Sequence, residues 1–565
     1  MVTKGSQVRV VLALAAMICA CDSPARVKPW RHAPDPTAEA QNAPGSPVLA
    51  EGTPTEAQVI ANRSHTLRIH MDAEPGRLTP IVDPSIWAKR ITVGTIFEPL
   101  LRYEPADANG PARFTGRLAR SWQVMPVPGG MVIRIELQPG VTFHDGSPLT
   151  SSDVQFTLDR VRDGRIGIPQ LRPMLEDVFR VELAGPLEVR LVLGRTNAWV
   201  LRALAEIPIL PMHVYEGSLL AGGALVGTGP WKMGSHKGGV VHLVAYDKYW
   251  AGKPAISDVE FVYEPDAAVA LTNAKRGELD IVPALIPAHW PEQASAPGLA
   301  ASFTPLQLAP PRLRMIELNA SRPGVSDARV RHALALLIDR RGIAKRVFDG
   351  LARPVNWPIW PGGPVNGPED SVPDFDPAAA AQLLDAAGWV DTDKDGIRDQ
   401  GPEKQLKLVL LGRETPTQKD SSGPPEKTER DYFVEAARRA GVIIEVKDGG
   451  ESWLDKHIEG GEWDLLEVGW SARVDMDVTP LVGGGTKNTR RPAQPHVDRV
   501  LDAMGAAWDP AERGKLAKEL ATALAESWPV IGITAEAPQG LIHRRVENVK
   551  VWDGWIDLSQ LRFAK

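Results

Sequence analysis

Both cysteines of this 565-residue chain, Cys19 and Cys21, fall near its start. Everything after Cys21 must fold without a disulfide, a cysteine-based zinc site, an iron–sulfur cluster or a cysteine nucleophile. A chain this long, held by packing alone, needs several cores or one core with large insertions, at roughly 150 residues per domain. The composition, 43% hydrophobic and 24% charged, supports such cores. The formal charge is −6, and residues 1–20 contribute only Lys4 and Arg9 to it, so the remainder is more acidic still. That balance argues against a general nucleic-acid binder, which needs clustered Lys and Arg to release counterions.

The residues before the cysteines read as an address. Lys4 and Arg9 precede an apolar run from Val10 to Ile18, too short for the ~20 residues that span a bilayer. A polar, proline-rich stretch follows at once, so the run fits the core of a secretory signal peptide better than a buried helix. Its end, Ile18-Cys19-Ala20-Cys21, resembles the lipobox of bacterial lipoproteins. The resemblance implies that 1–20 is removed and that Cys21 becomes a lipid-bearing N-terminus, since several acyl chains anchor stably where one does not. It also implies that Asp22 favours the inner membrane, placing the protein on the periplasmic side of the cell envelope. Residues 21–64 scatter Pro24, Pro29, Pro34, Pro36, Pro44, Pro47 and Pro54 without apolar periodicity. They are expected to be a disordered tether.

From residue 65 the pattern becomes α/β. Thr66–Met71 alternates apolar and polar residues, as does Met131–Leu137, and each predicts a half-buried strand. Thr150 and Asp153 predict a helix start with a shortened capping box. Asp327 opens an apolar-periodic run through Val330, Leu334, Leu337 and Ile338 that Gly350 is expected to close. Asp376-Pro377 and Asp509-Pro510 each place a cap before a proline at the first helical position. Residues 428–447 read as a helix, a stop at Gly441 and a strand from Val442 to Val446. Strands and helices alternate on both sides of residue 300, which gives an α/β class with mixed sheets.

Five segments then carry a family resemblance. The stretch from Phe143 through His144-Asp145-Gly146-Ser147-Pro148 to Thr157 is similar to the signature of the family 5 bacterial extracellular solute-binding proteins. These are the peptide- and nickel-binding components of ATP-binding-cassette (ABC) importers. Ile96–Leu100, Gly227–Trp231, Arg276–Asp280 and Asp327–Leu334 follow the family's order, the last just after Ile316–Asn319. The resemblance spans roughly residues 66–555. It implies a two-lobed, type II periplasmic-binding-protein-like fold with an extra flanking α/β domain and mixed sheets. One lobe would take 65–97, 225–310 and 528–565, the flanking domain 98–224, and the second lobe 311–527. A ligand would be enclosed between lobes that close about a hinge.

Catalytic and metal chemistry is thinly signalled. The chain has no HExxH, GxSxG, Walker A loop or GxGxxG before a helix. The pairs His65/His70 and His236/His242 lack a third ligand at a familiar metal spacing. The protein is therefore expected not to be an enzyme. One motif, Asp391-Thr392-Asp393-Lys394-Asp395-Gly396-Ile397-Arg398-Asp399, matches the start of an EF-hand loop, but position 12 is Pro402 in place of glutamate. It reads either as a weak Ca²⁺ clip through Asp391, Asp393, Asp395 and Asp399, or as a solvated turn, and the turn is favoured. No cofactor is expected otherwise.

Candidate ligand contacts come from the resemblance. Peptide-binding members carry an apolar strand, then Gly-Trp, a small pair and an aspartate that meets the ligand's α-ammonium group. Here Gly469-Trp470-Ser471-Ala472 is followed by Arg473, and the strand position that is arginine in some oligopeptide binders is Glu467. Asp475 would take the anchoring role if the register slips by two. Arg473 equally suits an ion pair with Asp475 or Asp477. Tryptophan outnumbers tyrosine 17 to 6; of these, Trp470 lies on the motif, and Trp87 falls in a loop that lines the cleft in relatives. The whole reading is a lipid-anchored, monomeric solute-binding protein that delivers a small peptide or peptide-like solute to ABC permease subunits. A non-peptide solute (opine, oligosaccharide or metal chelate) is the alternative within the family, and a sensor or assembly lipoprotein that has lost transport is the alternative outside it.

Overall fold

The computed structural model describes residues 54–564 except 105–112, 165–170, 220–224, 287–288, 291, 309–311, 359–371, 402–403, 414–426, 472–476, 486–490, 537–538 and 553. Two mixed sheets dominate. The first has seven strands in the order Phe303–Gln307, Gln539–His543, Ile281–Val282, Thr66–Met71, Asp258–Tyr263, Val240–Ala245, Trp231–Lys237. The alternation read at Thr66–Met71 gives a strand with those bounds, parallel to Asp258–Tyr263, with Leu67 opposite Val259 and Ile69 opposite Phe261. The second sheet has six strands in the order Ala352–Pro354, Val530–Glu536, Arg312–Leu318, Leu465–Ser471, Lys407–Arg413, Ile443–Gly449. Its last three run parallel to one another.

The chain passes between the sheets twice. Phe303–Gln307 belongs to the first sheet and Arg312–Leu318 to the second; Val530–Glu536 returns through the second and Gln539–His543 through the first. The return therefore falls between Glu536 and Gln539, whereas the sequence reading began the last piece of the first lobe at 528. The pairing sets it: Val530–Glu536 is bonded between Arg312–Leu318 and Ala352–Pro354.

Residues 98–224 add a four-stranded antiparallel sheet in the order Ala119–Val127, Gly130–Leu137, Glu188–Leu193, Val178–Gly185, backed by the helix Ser151–Asp163. Ile133 and Leu191 of this sheet share one continuous apolar cluster with Ile69 and Phe261 of the seven-stranded sheet. The insertion and the first sheet therefore form one body, and a separate cluster built on Leu313, Leu408 and Leu465 holds the second body.

Local signals explain most helices. Asp153 Oδ2 accepts the Thr150 backbone N–H at 2.9 Å, closing the predicted box. Asp376 and Asp509 cap Pro377–Ala386 and Pro510–Ser527. The run opened by Asp327 does not reach Gly350 as one helix. It ends at Leu336, and Asp339 takes the Gly342 N–H at 2.9 Å to start a second helix, Arg340–Arg346. The expected tether also ends early. Thr55 and Gln58 form a capping box for the helix Glu56–Asn62, and Arg63 behind it pairs with the fully buried Asp280. Among the described residues no helix is long and apolar enough to cross a membrane.

Candidate ligand-binding site

In open α/β sheets, ligands bind beyond the carboxyl ends of parallel strands. In the second sheet those ends lie beside the crossing segments, because Arg312, the first residue of its strand, sits opposite both Ser471 and Glu536. One face of the sheet there is charged. Arg314 pairs with Glu536 and, at 2.7 Å, with Glu429 at the start of the helix Glu429–Arg439. Arg430 pairs with Asp448 and lies 3.4 Å from Glu467. Gly412 permits this crowding: a Cβ there would stand 2.5 Å from both Arg430 Nη1 and Asp448 Oδ1, and 2.6 Å from Glu467 Oε2. Burial, reinforced by Glu429 and Asp448, pushes the Glu467 carboxyl up to about 7 against the pull of Arg430.

Trp470 takes the other face. It stands opposite Leu313 whereas Glu467 stands opposite Ile316, an odd separation that puts the two side chains on opposite sides of the strand. Trp470 is 6% exposed and belongs to the second core, so the structure does not bring the two together. Arg473 and Asp475 lie outside the described residues, as do Cys21 and Asp22.

The first body holds a cavity of about 180 Å³. Its walls come from the helix Ile86–Thr92, the hairpin Leu101–Glu104 and Arg113–Gly116, the helix Val200–Glu206, and residues 554–558 near the C-terminus. Ser85 starts the first of these helices by accepting the Ala88 N–H at 3.0 Å. Trp87 lies in that helix and not in a loop, is 3% exposed, and donates its indole N–H to Asp72 Oδ1 at 2.7 Å, just past the carboxyl end of Thr66–Met71. It forms a layer beneath the cavity wall. Above it the Arg90 guanidinium stacks 4.8 Å from the Trp87 ring and 4.3 Å from that of Trp555, and the two indoles meet edge to face at 5.8 Å. Arg117 reaches Glu98 at 2.6 Å, a fully buried carboxylate that also accepts from Tyr249 and Trp250. Sequence reasoning assigned Trp87 to the cleft between lobes and missed Arg90 and Trp555, because 465 positions separate the latter two and neither lies in a motif.

The acidic loop is held by hydrogen bonds from its own residues and Gln405. Carboxylate oxygens of Asp391, Asp393 and Asp395 lie within 4.8 Å of one another, and Asp399 is not among them. Asp399 is buried and spends its oxygens on Thr392 N–H, Thr392 hydroxyl and Gly401 N–H. Asp391 accepts from Gly396 N–H, and Asp395 from Ile397 N–H and Gln405.

Comparison with known proteins agrees with this architecture. Residues 113–489 match the model of the bacterial extracellular solute-binding proteins, family 5. Protein XP55 of Streptomyces lividans is 28% identical, over 77% of this chain and 82% of its own length. The di/tripeptide-binding protein 2 of Pseudomonas aeruginosa is 27% identical, over 73% and 77%. Among solved structures, HbpA2 from Haemophilus parasuis superposes with a TM-score of 0.73 at 19% identity, covering 88% of this chain and all of that one. NikA from Brucella suis, solved with Fe(III)-EDTA, gives 0.71 at 21%, with the same coverage. With a family match over most of its length and two sheets joined by paired crossings, the chain belongs to the family 5 bacterial extracellular solute-binding proteins.

Proposed function

We propose that this protein is the extracytoplasmic binding component of an ABC importer, taking a peptide or peptide-like solute between its two bodies and handing it to permease subunits. The observation that carries the reading is the double crossing between two separately cored bodies, in a member of a solute-binding family. Such a connection permits hinge closure while the charged sheet face and the aromatic cavity supply binding groups. Relatives named for oligopeptides and for di- and tripeptides support the peptide class. In this reading the protein is a binder and not a catalyst, a monomer, and bound to the membrane through lipid on Cys21, with Asp22 favouring the inner membrane. Arg473, or Asp475 in a shifted register, supplies the charge that selects one end of the ligand, and Glu467 lies deeper on the same strand. No cofactor is proposed, and the Asp391–Asp399 loop acts as a turn.

Native mass spectrometry of the freshly purified protein, looking for a co-bound solute, tests the reading. The recovered solute should compact the protein in solution scattering and stabilise it by about 2.7 kcal/mol at a hundredfold excess over Kd. Scattering curves that superpose with and without saturating solute would overturn closure.

A further inference from the structure

We infer that the first-body cavity is a binding site for one neutral, apolar group of about benzene size, and that it turns away cations and anions alike. The inference goes beyond the importer reading and stands without it.

Charge settles the class of ligand first. Among the described lining residues every cation is already engaged. Lys89 and Arg202 share Glu206, the first at 3.6 Å. Arg102 meets Glu104 at 2.9 Å and Asp557 at 3.0 Å. Arg117 holds the fully buried Glu98 at 2.6 Å. Arg90 lies on the faces of Trp87 and Trp555 and has further contacts of its own. A charged ligand would leave water for a site whose countercharges are committed, and nothing there would offset its lost hydration. A neutral group leaves the pairs as they are.

The same pairs brace the walls. Lys89 and Glu206 tie the helix Ile86–Thr92 to the helix Val200–Glu206, and Arg102 and Asp557 tie the strand Leu101–Glu104 to residues 554–558. The space is therefore built before a ligand arrives, which spares the ligand the cost of ordering it. Gly94 shows how open it is: a Cβ on this wall residue would meet nothing within 4 Å.

Between the pairs the wall is apolar, with Ile86, Val93, Leu101, Ile556 and the rings of Tyr103 and Phe114. The two rings meet edge to face at 5.4 Å, an arrangement that a third ring can extend. Protein interiors leave few voids larger than a water molecule, and atoms lining an empty one forgo their dispersion partners. The volume here is about 180 Å³, and an apolar cavity of about 150 Å³ takes up benzene. Ile86 lines the cavity while 50% exposed, so a way in from solvent lies beside it.

Ligand-observed NMR titrations and thermal melts of the intact protein with toluene, benzoate and benzylammonium test this, since the three resemble one another in shape and differ in charge. Toluene should bind at least tenfold tighter than either ion and raise the melting temperature. Ala205→Phe, which puts a ring into the cavity from the helix wall, should weaken toluene at least tenfold, and Ala205→Leu, a smaller plug, severalfold. Glu206→Gln, which strips Lys89 and Arg202 of their shared carboxylate, should tighten benzoate at least tenfold and leave toluene within threefold. Failure of toluene to bind, either ion binding as tightly as toluene, or toluene affinity unchanged in both plugged variants with their circular dichroism intact would overturn the inference. A solute recovered from the native protein identifies the source of the group. A solute that displaces toluene carries the group as a side chain, and one that binds beside toluene leaves the cavity to a separate small molecule; both outcomes support the site. Compaction by the solute without any binding of toluene sinks the cavity assignment and spares the importer reading.

Discussion

The indole of Trp199 lies against the bare Cα of Gly505, so that a Cβ on Gly505 would stand 3.0 Å from Trp199 Nε1. Trp199 belongs to the first body and Gly505 to the helix Pro495–Ala506 of the second. Arg513 caps the indole from its other side at 5.0 Å, and the neighbouring Ala198 N–H reaches Gly505 O at 2.7 Å. The exchange is reciprocal, since Trp508 of the second body packs on the first core. Trp199 immediately precedes the helix Val200–Glu206 that lines the cavity, so this contact couples the spacing of the bodies to the cavity wall. Trp199→Ala should cost about 1–3 kcal/mol, below the 3–5 of a fully buried tryptophan, and should enlarge the ligand-free radius of gyration. Gly505→Val should do the same by prising the indole away. Urea melts and scattering on both variants check this, and unchanged scattering in both would show that the contact does not hold the bodies together.

Asp280 ties the N-terminal helix to the first body. It is fully buried, accepts from Arg545 at 2.7 and 2.9 Å and from the Arg68 N–H at 2.9 Å, and pairs with Arg63. Burial alone would raise its carboxyl, but hydrogen bonds from Arg545 and Arg63 outweigh that and hold it below the ordinary value. The stabilisation is therefore present above the usual aspartate range and lost as pH falls through it. Asp280→Asn should cost about 3–5 kcal/mol by leaving two guanidiniums without their charge partner. Hydrogen exchange in Glu56–Asn62 should rise in the variant at neutral pH, and in the native protein only in acid.

Glu467 has the opposite sign. Its carboxyl is pushed up to about 7, first by burial, so the folded state holds a proton that the unfolded chain releases near its ordinary value of 4.5. Stability should fall as pH rises from about 4.5 to about 7 and stay low above it. Glu467→Gln should flatten that part of the profile and be relatively more stable at pH 8 than at pH 5. Denaturant midpoints across pH for the two proteins measure it, and parallel profiles would refute the assignment.

In the proposed reading, Arg473 takes the place of the aspartate that the family resemblance implies for peptide-binding members. If it meets the ligand, peptides with a free α-amine at that end bind poorly and N-acetylated ones better, since like charges juxtaposed in an interface cost several kcal/mol. Arg473→Asp should shift preference toward free N-termini. Calorimetry with matched free and acetylated peptides decides, and an unaltered preference in that variant would remove Arg473 from the site.

Cys21→Ala should leave an uncleaved or soluble form, read by membrane fractionation and intact mass. Recovery of the variant in the membrane fraction at the native mature mass would exclude lipid on Cys21.

Legibility in the sequence followed the range of the interactions. Thr66–Met71, the Asp376 and Asp509 caps and the Gly441 stop rest on residues within four positions of one another, and each appears as read. The helix after Asp327 was misread because apolar periodicity continues through Leu337 and Ile338 while Asp339 recaptures the backbone. The site was harder. The stack that uses Trp87 needs Trp555, and the lock on Asp280 needs Arg63 and Arg545, 217 and 265 positions away. Spacing rules carry no information at that distance. For Trp470 and Glu467 the parity of a strand already separates the faces, and only the motif suggested joining them.

The strand Gln539–His543 is hydrogen-bonded between Phe303–Gln307 and Ile281–Val282, yet it follows the whole of the second sheet in the chain. Until that strand is made, Phe303–Gln307 has no described partner in its sheet. Such late, long-range pairing slows folding. The second sheet has all six of its strands by Glu536, so the order of the chain lets the second body form before the first is closed.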